Sequence, residues 1–88
     1  MTYKIGWRTT ALEKLAAIWS GAPDRQRITD AANEIDELLR RSPLDVGESR
    51  EEGVRILTVP PLSIYYTVSE TNNRVVVLSV WVSSKDKR

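Results

Sequence analysis

The first residues of the chain alternate. Tyr3, Ile5 and Trp7 fall on one side, and Lys4, Gly6 and Arg8 on the other. A period of two marks a short, half-buried strand over residues 3–8. The period then lengthens. Leu12, Leu15, Ala16 and Trp19 recur at steps of three and four, with Ile18 beside them, which is the stripe of an amphipathic helix. Thr10, followed three residues later by Glu13, predicts the N-cap and a capping box. Gly21-Ala22-Pro23 predicts the end, since Gly suits a left-handed C-terminal position and Pro cannot continue a helix. Asp24 predicts the cap of a second helix with Ile28, Ala31, Ala32, Ile35, Leu38 and Leu39 on one face and Arg40-Arg41 at the negative end of its dipole. Ser42-Pro43 stops it. A link of three or four residues makes the two helices an antiparallel hairpin with one apolar face to bury.

The second half supplies a sheet. Residues 44–53 are polar and turn-rich, with room for a short edge strand near 48–51. Val54–Val59 reads as a strand closed by Pro60-Pro61, which cannot donate to a ladder. Leu62–Val68 is a second strand. Asn72-Asn73 marks a hairpin loop before Val75–Val82, the most β-branched run. Strand parity splits the sheet into two faces. Val54, Ile56, Thr58, Leu62, Ile64, Tyr66, Val68, Val76, Leu78, Val80 and Val82 are expected under the helices, where Leu12, Leu15, Trp19, Ile28, Ile35 and Leu38 would meet them. Trp7 is also expected in the core. Arg55, Leu57, Ser63, Tyr65, Thr67, Ser79 and Trp81 are then expected on the other face. An antiparallel sheet can leave that face open, and Tyr, Trp and Arg together there suit a partner surface or a cleft. The expected fold is α+β: an N-terminal strand, an αα-hairpin and an antiparallel meander of three or four strands.

Composition narrows the chemistry. The 88 residues include no Cys and no His, which excludes a Ser-His-Asp triad, an ordinary zinc site and a cysteine nucleophile. No apolar run approaches the roughly 20 residues of a membrane span, and no signal-peptide pattern opens the chain, so a cytoplasmic single domain over 1–88 is expected, with 84–88 as a tail outside the packed body. No cofactor or metal is expected. The net charge of +1 is no signature of nucleic-acid binding. Residues 53–88 nevertheless carry five basic side chains against two acidic ones, which leaves room for a small anionic-ligand surface.

The order of elements, together with "L-D-V-G-E-S-R-E-E-G", "V-R-I-L-T-V-P-P-L-S-I-Y-Y-T-V-S-E" and "V-V-V-L-S-V-W-V", resembles the RelE/ParE toxin superfamily over nearly the whole chain. The resemblance implies a toxin of a type II toxin–antitoxin pair, neutralised by a small antitoxin that covers its working face. RelE-like members cut mRNA on the ribosome; ParE-like members inhibit DNA gyrase and have no nuclease site. Cleavage without His or metal would use Lys or Tyr as acid and base and Arg as phosphate clamp. Arg55 and Tyr65 are the candidates for catalysis. Arg50, Leu57, Trp81, Lys85, Lys87 and Arg88 are the candidates for partner or nucleic-acid contact. Two positions where active RelE-like members carry Arg hold Ser63 and the Ser83-Ser84 pair instead, which counts against a complete ribonuclease. The alternative to a toxin is a catalytically silent module that holds a partner protein on the same face. On the structural side, Arg55 could be a solvated strand residue whose loss costs the fold little. Tyr65 could be a cross-strand packer, and Trp81 could pack on Leu57.

Overall fold

The computed structural model describes residues 2–83. Seven elements follow in order: β1 (Lys4–Trp7), α1 (Thr9–Gly21), α2 (Arg25–Arg41), β2 (Glu48–Ser49), β3 (Val54–Val59), β4 (Leu62–Ser69) and β5 (Arg74–Val82). The strands form one sheet in the order β1-β5-β4-β3-β2. β2 to β5 are an antiparallel meander, and β1 joins the edge of β5 in parallel. The helical hairpin covers one face; the core lies between, with Ile28, Ala31, Ile35 and Leu39 of α2 packed with Leu57, Ile64, Tyr66, Val75, Val77 and Val80 of the sheet.

α2 is built as its sequence predicts. Asp24 accepts a hydrogen bond from the backbone N–H of Arg27 at 3.2 Å. Arg40 and Arg41 pair with Asp36 and Glu37 one turn back. α1 departs from expectation at its start. Its N-cap is Arg8, with no side-chain cap, so the Thr10–Glu13 capping box does not form. The cause is tertiary: Arg8 extends β1 by donating its N–H to Val77 O at 3.0 Å and accepts from Leu12 N at 2.9 Å, which starts the helix directly after the strand. The buried side of α1 is also turned from the expected stripe. Ala11 is buried and Leu15 and Ile18 pack on the core, whereas Leu12 and Trp19 are exposed. Trp19 instead donates its indole N–H to Thr29 and lies under the Arg25 guanidinium, 4.8 Å from the ring centroid. Trp7 is half-buried against the core.

Two strands correct the expected parity. On β4, Leu62, Ile64 and Tyr66 face the helices, as alternation requires. The register pairs Leu57 with Ile64 and Arg55 with Tyr66, so Arg55, Leu57 and Val59 lie on the helix side and Val54, Ile56 and Thr58 on the open side. On β5 the ladder slips between Tyr65 and Tyr66, leaving Leu78 unpaired between Ser79 and Val77. This β-bulge reverses the parity upstream of it. Val75 and Val77 are fully buried, and Val76 joins the open face. Val80 keeps its expected place.

Candidate functional site

The open face carries side chains from every strand. By alternation, β1 contributes Lys4 and Gly6, β5 Arg74, Val76, Ser79 and Trp81, β4 Ser63, Tyr65 and Thr67, β3 Val54, Ile56 and Thr58, and β2 Glu48. At its centre the rings of Tyr65 and Trp81 meet with centroids 4.8 Å apart and planes tilted by 57°, a favourable aromatic geometry. They are diagonal neighbours, because Tyr65 pairs with Ser79 and Ser63 with Trp81. Ser63 is buried, and its hydroxyl lies 2.7 Å from that of Thr58, so these two hydroxyls satisfy each other. Beside Tyr65 a hollow of about 590 Å³ is lined by Ser49, Arg50, Glu51, Val54, Tyr65 and Leu78. Its lip is the β2–β3 hairpin. Val54 N bonds Glu51 O at 2.9 Å, and Glu52 and Gly53 between them have φ of 49° and 83°, two left-handed residues in succession at the tip of a tight hairpin.

Of the sequence candidates, Tyr65, Trp81 and Arg50 meet on or beside this face. Leu57 does not; it is buried under the helices, and Trp81 therefore packs on Tyr65 instead. Arg55 is on the helix side as well. Its Nε donates to the Tyr66 hydroxyl at 3.2 Å, and its Nη2 lies 3.0, 3.1 and 3.4 Å from the carbonyl oxygens of Leu44, Val46 and Gly47. Tyr66, fully buried, has its hydroxyl 2.8 Å from the carbonyl oxygens of both Pro43 and Val46. The guanidinium thus fastens the 43–47 loop to the sheet. Gly47 is part of the same clamp: at φ +72° a Cβ there would stand 2.5 Å from Ile56 O and 2.9 Å from the Tyr66 hydroxyl. Lys85, Lys87 and Arg88 lie outside the described residues. Among the described residues no group of three or more His, Cys, Asp or Glu could hold a metal ion, and no helix is long and apolar enough to cross a membrane.

The sequence reading missed Lys4 and Arg74 on this face. Alternation around Ile5 and Trp7 signals the side on which Lys4 stands, but only the parallel β1–β5 pairing sets it opposite Arg74. Val54, Ile56 and Val76 were missed for the parity reasons above.

Comparison with known proteins gives the face its context. A search of curated proteins found no match. A chain of the RelBE2 toxin–antitoxin complex from Mycobacterium tuberculosis is similar in structure, with a TM-score of 0.75 and 27% identity over 97% of this chain and 95% of that one. A chain of the chromosomal ParDE toxin–antitoxin system of P. aeruginosa has a TM-score of 0.71 and 20% identity, covering 91% of this chain and 95% of that one. The isolated E. coli RelE toxin has a TM-score of 0.68 and 15% identity, covering 97% and 88%. The fold is therefore that of the RelE/ParE superfamily. The family model described as the ParE toxin of the type II toxin–antitoxin system parDE matches residues 5–87, and the chain belongs to that family of toxins.

Proposed function

We propose that this toxin acts by protein contact through its open sheet face, with DNA gyrase as the target, and that a small antitoxin neutralises it by covering the same face. The observation that carries this reading is the position of Arg55. Ribonuclease chemistry needs a base for the 2′-hydroxyl, a cation on the phosphorane and an acid for the leaving oxygen. At the centre of the open face stands the Tyr65 hydroxyl, and the one Arg inside β3 and β4 is turned to the opposite side and occupied. Between Arg50 at the β2–β3 hairpin and Lys4 and Arg74 at the β1 edge, the centre of the face is mainly aromatic and aliphatic surface of the kind that anchors protein partners. The ParE family match supports gyrase over the ribosome, and the similar structures, which include a RelBE2 and a ParDE system, support an antitoxin partner. Gyrase and antitoxin would both be met in the cytoplasm.

Inducible expression in a bacterial host tests the reading. Expected are slowed growth, a DNA-damage response with translation intact, and rescue when the open reading frame next to the toxin gene is co-expressed as the antitoxin. Arrested translation with cleaved mRNA would contradict it in favour of the RelE-like activity. Normal growth at high soluble expression would contradict it in favour of a silent binding module.

A further inference from the structure

We infer that the β1 edge of the open face is a cationic rim that receives the acidic flank of an amphipathic segment of the antitoxin, with Lys4 and Arg74 as the pairing residues. The inference rests on the reading of the open face as the antitoxin site and adds which residues and which partner chemistry. Lys4 and Arg74 are register partners on adjacent strands, so their backbones run about 4.8 Å apart. Both side chains are exposed on the same face. Like charges directly opposite in a sheet are destabilising. Neither side chain has a hydrogen bond or an ion pair among the described residues; the salt bridges there are Arg40–Asp36 and Arg41–Glu37. Arg8 continues the alternation on the same side. Between Lys4 and Arg8, Gly6 leaves a bare floor, since the nearest atom to a Cβ built there is Val75 O at 4.0 Å. Three cations thus border a flat strip of backbone.

The opposite edge has the other sign. Glu48 stands on the open face of β2, and Glu51 and Glu52 at the hairpin tip outnumber Arg50. Between the two edges, about 19 Å apart across four strand spacings, lie Val76, Leu78, Trp81, Tyr65, Ile56 and Val54. A nucleic acid carries negative charge along its whole length and would meet the acidic edge as well as the basic one. A protein segment with an apolar stripe, carboxylates on one flank and cations on the other satisfies all three zones.

Lys4→Glu and Arg74→Glu test this as single variants, using the full-length antitoxin that rescues growth, with Arg27→Glu on α2 as control. Each should weaken antitoxin binding by about tenfold and flatten its dependence on salt, because a rim cation becomes repulsive. Each should also raise the melting temperature of the free toxin by about 2 °C, since a repulsive cross-strand pair becomes attractive. A purely structural role would not combine higher stability with weaker binding. Unchanged antitoxin affinity in both variants overturns the inference. So does wild-type binding of a labelled single-stranded RNA or duplex DNA that Lys4→Glu abolishes while antitoxin affinity holds. Trp81→Ser separates the two levels: if it loses the antitoxin while Lys4→Glu and Arg74→Glu keep it, only the rim is wrong. If all three keep it, the antitoxin site is not the open face.

Discussion

Replacing Arg55 by Ala should cost the fold a large part of its stability. The guanidinium places Nη2 within 3.4 Å of the three carbonyl oxygens of Leu44, Val46 and Gly47 and Nε at 3.2 Å from the Tyr66 hydroxyl. Nη2 has two hydrogens, so not all three carbonyls can be served fully at once. Charge-assisted bonds contribute about 1.5–3 kcal/mol each where buried. Here Leu44 is exposed and water can replace that contact, whereas the Tyr66 hydroxyl sits in a fully buried residue. A net loss of about 2–3 kcal/mol follows, against a total of roughly 5–10 kcal/mol for a domain of this size. That is a drop in melting temperature of roughly 10–20 °C. Thermal and urea unfolding followed by circular dichroism would measure it. Arg55→Lys should recover less than half, because an ammonium lacks the planar fork that spans hydroxyl and carbonyls. Combined with Tyr66→Phe, the two losses should overlap by about 1 kcal/mol, as expected for partners in one network. A shift under about 2 °C for Arg55→Ala, with additive behaviour in the double variant, would show that the guanidinium does not hold the 43–47 loop.

Gly47→Ala should destabilise by more than about 2 kcal/mol, measured by the same unfolding curves, because φ is +72° and the new Cβ would press on Ile56 O at 2.5 Å. Glu52→Asn should raise stability by about 0.5 kcal/mol, since Asn tolerates the left-handed backbone at the hairpin tip (φ 49°) better than Glu does. Leu39→Ala should cost about 2–5 kcal/mol and Leu12→Ala under about 1 kcal/mol, because Leu39 is fully buried and Leu12 is 51% exposed. Trp81→Ser should leave most of the fold intact by circular dichroism while abolishing growth inhibition in the induced host.

The elements were legible because their signals are local. Asp24 and the Ile28–Ile35 spacing gave α2, Pro60-Pro61 gave a turn, and β4 could be sided correctly from Leu62, Ile64 and Tyr66. The sides of β3 were not legible. Val54 and Ile56 look like core and Arg55 like surface, yet Arg55 lies on the helix side of the sheet because the Tyr66 hydroxyl and the carbonyls of a distant loop satisfy its guanidinium. That loop contact has no trace in the strand's own pattern. The bulge at Leu78 is similarly silent: each half of β5 alternates correctly, and only pairing with β4 shows the slip. Of the site, Tyr65 and Trp81 could be placed from parity alone, since both lie on the correctly sided parts of their strands. Lys4 and Arg74 could not be joined, because nothing in two segments some seventy residues apart says that they run parallel side by side.

The most direct test is supercoiling by purified DNA gyrase in the presence of the purified toxin, run beside ribosomes translating a defined mRNA. Inhibited supercoiling is expected from the wild-type protein, relieved by the antitoxin and absent with Trp81→Ser, while the mRNA stays whole. Unimpaired supercoiling together with toxin-dependent cuts in the translated mRNA would contradict protein contact through the open face as the source of toxicity.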